Sequence, residues 1–383
     1  MPRGLHRATV LESLRLAGAL LPPGTPHLTA GLDLLRSRSL LTGLHVRYGG
    51  RPVLVRGPRR TALVVLSQRD AERVLSEPAF VPTVRERAAG LPYDVLRPAF
   101  AEVARQEAAA LTDGVIDYAR LESCWQRVAR RCVYGAGAAG DEELSALLAQ
   151  VRRAGRGRAR RRQEILSGRY DARILDHLRR AEPGTLAGLL AETSGPEARG
   201  LRQAAFWLLG FSVTAGSLMR TLALLATYPV QRKCARADPD YLRACLREGL
   251  RLWPPVPALS RLTTEETDWY GVPVPAGTHV ILPFAPHQRS PRLHYADSFA
   301  PEIWLDGTAA GEWWALPRCD GVHLMLGVGT AFLGGILASA RPKASGRTLS
   351  GRTLSPHRPL PPTLNAARLR VTMRPLKRRP GQS

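Results

Sequence analysis

Glu248 and Arg251 stand three residues apart in Tyr241-Leu-Arg-Ala-Cys-Leu-Arg-Glu-Gly-Leu-Arg-Leu-Trp-Pro-Pro255. On a helix that spacing puts a carboxylate and a guanidinium on one face, where they can hold a fixed ion pair. Pro254 and Pro255 stop the helix and force an extended exit. Other reactive groups lack a recognisable pattern. The nine histidines form no His-Glu-x-x-His arrangement, and neither a phosphate-binding loop nor a Gly-x-Ser-x-Gly elbow occurs. Cys124, Cys132, Cys234, Cys245 and Cys319 are scattered without metal-finger spacing, and their odd number argues for reduced thiols rather than a disulfide framework.

The elements that must position these groups read as follows. With 383 residues, 44% of them hydrophobic, the chain has ample material for a core, and a single domain over 1–383 is expected. The N-terminus, from Met1 to Gly18, is basic and then apolar, but Glu12 and Arg15 interrupt it, so an amphipathic helix is expected rather than a signal peptide or membrane anchor. Residues 45–78 read as strand, turn, strand and helix, starting with His45 to Val55. From Leu96 to about Leu190 the pattern is helical. Inside it, Val151 to Arg162 is the densest basic run, read as an exposed loop because Gly155 and Gly157 weaken a helix. The run Gly200 to Thr227 is apolar nearly all round and belongs in a core. A tandem repeat, Gly346 to Ser350 and Gly351 to Ser355, reads as a loop.

The ordered series Glu248-x-x-Arg251, Leu259-Ser-Arg261, Trp269 to Ile281, His287-Gln-Arg289-Ser-Pro and Phe299-Ala-Pro301-Glu302-Ile303-Trp304 resembles the cytochrome P-450 haem-thiolate monooxygenases, particularly the soluble bacterial ones. The resemblance implies the cytochrome P-450 fold, mainly α with a small β-sheet region: a small β region at about 45–68, a helical core at about 96–255 and a haem-loop region at about 256–383. It also implies haem b held by a cysteine thiolate, in a loop of the form Phe-Gly-x-Gly-x-His-x-Cys-x-Gly.

In that register Gly321, His323 and Gly327 match, and Met325 stands where the cysteine belongs. A neutral thioether can touch iron but cannot push charge onto bound oxygen. Cys319, six residues earlier, is the rival ligand; using it would delete the loop that shields the sulfur. Register with the family also puts Ser212 in place of an acid and Val213 in place of the oxygen-side threonine, leaving Thr214 and Ser217 as the nearby hydroxyls for proton transfer. Arg261 and His323 match contacts to a haem propionate. Ile303 replaces an arginine that joins the Glu248–Arg251 pair in relatives. The stretch from Val81 to Ala99, where helices should roof the pocket, is short.

Two functional readings follow from the resemblance. In the first, the chain has lost haem-thiolate chemistry and serves as a binding or activating partner of a biosynthetic enzyme, as family members that assist glycosyltransferases in antibiotic pathways do; a degraded copy would carry the same losses. In the second, it is a haem-dependent monooxygenase that takes electrons from an acidic ferredoxin, steered by the formal charge of +23. That charge also raises nucleic acid as a partner, but no basic and aromatic reading motif accompanies it. A cytoplasmic location fits either reading.

Overall fold

The computed structural model describes residues 5–9, 12–13, 38–56, 61–82, 93–154, 160–193, 197–255, 258–309, 320–344 and 354–376. In chain order the helices are α1 (Arg38–Arg47), α2 (Gln68–Ser76), α3 (Arg97–Ala108), α4 (Tyr118–Tyr134), α5 (Glu142–Ala154), α6 (Arg160–Arg180), α7 (Leu186–Thr193), α8 (Glu197–Thr227), α9 (Pro229–Ala237), α10 (Pro239–Leu252), α11 (Ala285–Gln288) and α12 (Asp320–Ser339). The strands are β1 (His6–Arg7), β2 (Val53–Arg56), β3 (Thr61–Val64), β4 (Phe80–Pro82), β5 (Val115–Asp117), β6 (Ala258–Thr263), β7 (Thr267–Trp269), β8 (Val272–Val274), β9 (His279–Pro283), β10 (Ala340–Ala344) and β11 (Arg370–Pro375). The described residues fall into two compact units, the first drawn from Met1–Glu86 and Leu250–Ser298, the second from Arg87–Gly249, Phe299–Ala309 and Arg318–Ser383.

In the first unit a sheet runs in the order β1-β2-β3-β9-β6-β4, and β7 and β8 form a separate hairpin. Alternation along a strand sends neighbouring side chains to opposite faces. Ala62 and Val64 pack with Leu41 and Leu44 of α1, while Leu63 and Val65 pack with Ala71 and Val74 of α2 and with Trp269. Ser67 caps α2 by accepting from the Asp70 amide at 3.1 Å.

Two sequence readings are corrected here. His45 to Arg47 close a helix rather than open a strand, because Leu41 and Leu44 bury at helical spacing and His45 Nδ1 contacts the Leu66 carbonyl at 3.0 Å. Gly49 and Gly50, with φ of 60° and 76°, then turn the chain into β2. At the N-terminus, His6–Arg7 is a strand pairing in parallel with Val53–Leu54, where a helix was expected; most of Met1 to Gly18 lies outside the described residues.

The second unit is mostly helical, with a three-stranded sheet ordered β10-β11-β5. Trp125 on α4 sits between Phe211 of α8 and Phe332 of α12, ring centroids 5.3 and 5.2 Å away, and its indole N–H donates to the Phe211 carbonyl at 2.8 Å. Glycines let the helices approach closely. A Cβ at Gly335 of α12 would lie 3.0 Å from Ala108 Cβ of α3, and one at Gly249 of α10 would lie 2.5 Å from Thr221 Oγ1 of α8. Although α8 is long and apolar enough to cross a membrane, 72% of its apolar window is buried within the protein, as befits a core helix.

The basic run also departs from expectation. Residues 151–154 finish α5, and Arg160 to Arg162 begin α6, with 155–159 outside the described residues. The tandem repeat lies outside them up to residue 353, as does most of the segment between Val81 and Ala99.

Candidate functional site

The family's ligand position lies inside a regular helix. Where the sequence led us to expect a loop up to Met325 and a helix from Leu326, α12 already starts at Asp320. Burial of Leu324, Leu326 and Val328 holds this stretch helical despite Gly321 and Gly327. Met325 is therefore a half-buried residue in the second turn. Along such a helix each amide N–H is engaged by the carbonyl four residues back. Backbone donors are then not free to stabilise a negatively charged sulfur, and the thioether carries no charge to be stabilised. His323 is exposed on the first turn, and Cys319 lies outside the described residues. One turn beyond Met325, Gly329 faces α8 and α10, where its Cβ would meet Leu218 Cδ2 at 3.2 Å and Leu246 Cδ2 at 3.0 Å. The residues described at this position do not fit haem held by a thiolate, and no reaction step through haem follows from them.

On α8 the hydroxyls turn inward. Thr214 Oγ1 donates to the Gly210 carbonyl at 2.8 Å, so it is spent on its own helix. Ser217 is fully buried and its Oγ has no hydrogen-bond partner. Ser212 accepts from Arg152 Nη1 at 2.6 Å. Arg152 belongs to the basic run that was expected to be solvated; nothing in a stretch of repeated arginines singles out the one that reaches the core.

Glu248 is fully buried in the second unit and accepts from the Ala300 amide at 3.1 Å and from Trp304 Nε1 at 3.0 Å. Arg247 lies over the Trp304 ring, 4.7 Å from its centroid, and Tyr241 donates to Glu302. Ile303, at the position of the missing arginine, is simply buried. Its neighbour Trp304 supplies a donor, a role its indole N–H could have suggested in the sequence. In the first unit Arg251 donates to the carbonyls of Gln288 (2.7 Å), Ala296 (3.1 Å), Tyr295 (3.1 Å) and Ser298 (3.2 Å). Arg289 pairs with Asp297 at 2.5 Å. Arg261 lies buried on β6, its Nη1 3.4 Å from the Ser260 carbonyl.

A buried carboxylate and arginine three apart on α10, a long apolar core helix and the small sheet together define the cytochrome P-450 fold. Residues 230–313 match the model of the cytochrome P-450 family. The fold is similar to that of CYP175A1 from Thermus thermophilus, with a TM-score of 0.70 and 17% identity over 97% of this chain and 100% of that one. Protein AknT of Streptomyces galilaeus is 32% identical over 124 residues, 31% of this chain and 28% of that protein. Cyclooctat-9-en-7-ol 5-monooxygenase of Streptomyces melanosporofaciens is 30% identical over 185 residues, 41% and 39% of the two chains. The erythromycin C-12 hydroxylase of Saccharopolyspora erythraea is 33% identical over 123 residues, 32% and 29%. These matches span between 28% and 39% of the relatives' lengths. The chain has the cytochrome P-450 fold, and its residues 230–313 are similar to the cytochrome P-450 family.

Proposed function

We propose that this chain works without haem-thiolate oxygen activation, as a cytoplasmic binding or activating partner of a biosynthetic enzyme such as a glycosyltransferase. The observation that carries the reading is Met325 within the second turn of α12. Support comes from α8, where Ser212 and Val213 stand in place of the acid and threonine and Thr214 is bonded to its own helix. The competing reading, a monooxygenase inserting one oxygen atom from O2 into a small apolar substrate, draws on the names of the hydroxylating relatives.

An absorption spectrum of the protein expressed with haem supply, oxidised and then reduced under carbon monoxide, tests the proposal beside Cys319→Ser and Met325→Cys variants. The expected result is no thiolate-type Soret band in the unmodified protein. Such a band, lost on changing Cys319, overturns it. Co-expression with a candidate glycosyltransferase, followed by co-purification and a turnover assay with and without this chain, tests the partner role.

A further inference from the structure

The β10-β11-β5 sheet of the second unit has one buried and one exposed face. Pro342, Val371, Met373 and Ile116 are buried, whereas Arg341, Arg370, Arg374 and Val115 are exposed and Lys343, Thr372 and Asp117 half-buried. Neighbours along a strand point to opposite faces, and residues directly opposite in an antiparallel pair share one. The register sets Arg341 opposite Arg374, Lys343 opposite Thr372, and Thr372 opposite Val115. At one end of the outer face Arg370 and Asp117 lie 3.7 Å apart. Arg341, Lys343 and Arg374 gather at the other end, and among the described residues no carboxylate pairs with them.

Like charges directly opposite each other destabilise a strand pair. A further cation stands close by, because Arg232 of α9 donates through Nη1 to the Pro342 carbonyl at 3.3 Å. Burial first, and Arg341 second, hold the Arg232 guanidinium below its ordinary value. Folding thus brings these cations together without supplying an acid to balance them. The three strands carry no aromatic side chain on which a nucleic-acid base could stack. Val115 is the large aliphatic side chain that the face exposes, too little apolar surface to enter a lipid interface. Carboxylates on a protein surface suit it better, since guanidinium forks match them in geometry.

We propose that the outer face of this sheet docks an acidic protein partner, whose carboxylates meet Arg341, Lys343 and Arg374. This docking surface rests on the partner role proposed above and specifies the charge that the partner presents.

Fluorescence anisotropy of a fluorescein-tagged deca-glutamate peptide titrated with the full chain is the test. The variant is Arg341→Glu with Arg374→Glu, and the control of equal charge change is Arg161→Glu with Arg162→Glu, both exposed at the start of α6. The peptide should bind saturably, weaken about tenfold or more in the sheet variant and change by less than about threefold in the control. Equal loss in the two variants, as bulk charge alone would produce, or no saturable binding overturns the docking surface. So does a DNA duplex that binds tighter than the peptide and weakens in the sheet variant alone, which would assign the face to nucleic acid. The carbon monoxide spectrum of the same preparations separates the two readings. A thiolate-type Soret band beside a retained sheet effect overturns the partner role and leaves the docking surface standing, whereas no band and no sheet effect does the reverse. Circular dichroism checks folding, and Lys343→Glu decides the matter if the double variant does not fold.

Discussion

The indole N–H of Trp304 donates to the fully buried carboxylate of Glu248 at 3.0 Å. Removing one donor from a buried carboxylate costs more than an exposed hydrogen bond is worth, because water does not take the donor's place. Trp304→Phe keeps an aromatic ring beneath Arg247 but removes the N–H. It should destabilise the protein by about 1–3 kcal/mol in urea unfolding. No change in midpoint would mean that the other contacts of Glu248, the Ala300 amide among them, satisfy its carboxylate.

Gly249 and Thr221 set the approach of α10 to α8. A methyl group at 249 would lie 2.5 Å from Thr221 Oγ1. Gly249→Ala should therefore lower stability by about 1–2 kcal/mol, the overpacking cost less the helix-propensity gain. In a Thr221→Ala background the same substitution should become neutral or stabilising. Additive losses in the double mutant would show that the two positions do not touch.

Asp141 should govern part of the acid limit of stability. Burial pushes its carboxyl up, but hydrogen bonds from Arg173, His177 and the Leu144 amide outweigh burial and bring it down to about 2. A carboxyl depressed in the folded state stabilises it above the unfolded value near 3.8, and that contribution is lost as pH falls towards 2. Asp141→Asn should lower stability at pH 7 and flatten its dependence between about 4 and 2. An unchanged slope there would assign the acid sensitivity to other groups.

His287 should act at milder acidity. Burial lowers it to about 4, with the Val65 backbone opposing and His45 adding to the shift. The unfolded chain takes up this proton near pH 6.5, whereas the folded chain resists until about 4. Stability should therefore fall across that window by at most about 1.4 kcal/mol per pH unit, and His287→Gln should remove this slope. A His287→Gln variant that keeps the slope would refute the assignment.

The C-terminal half was the more legible part of the sequence, because its helices and strands end on prolines and glycines with strong local preferences. Pro254 and Pro255 close α10, and Tyr270 and Gly271, both at positive φ, turn β7 into β8. Helix α8 was legible from its apolar run, and α3 to α7 from periodicity. Legibility failed where tertiary contacts override local preference. The β-branched Val46 suggested a strand, but Leu41 and Leu44 decide the helix by burying. At the ligand position, glycines suggested a loop that burial of the intervening leucines folds into α12. Arg152 was hidden because a run of similar charges carries no information about which one finds a partner inside.

Gly327 has open space around it where a Cβ would project, and it sits in the interior of a regular helix. Alanine would serve that helix better by about 1 kcal/mol, because it has less backbone freedom to lose. At this position the helix forgoes stability that a single methyl group would supply without displacing any neighbour.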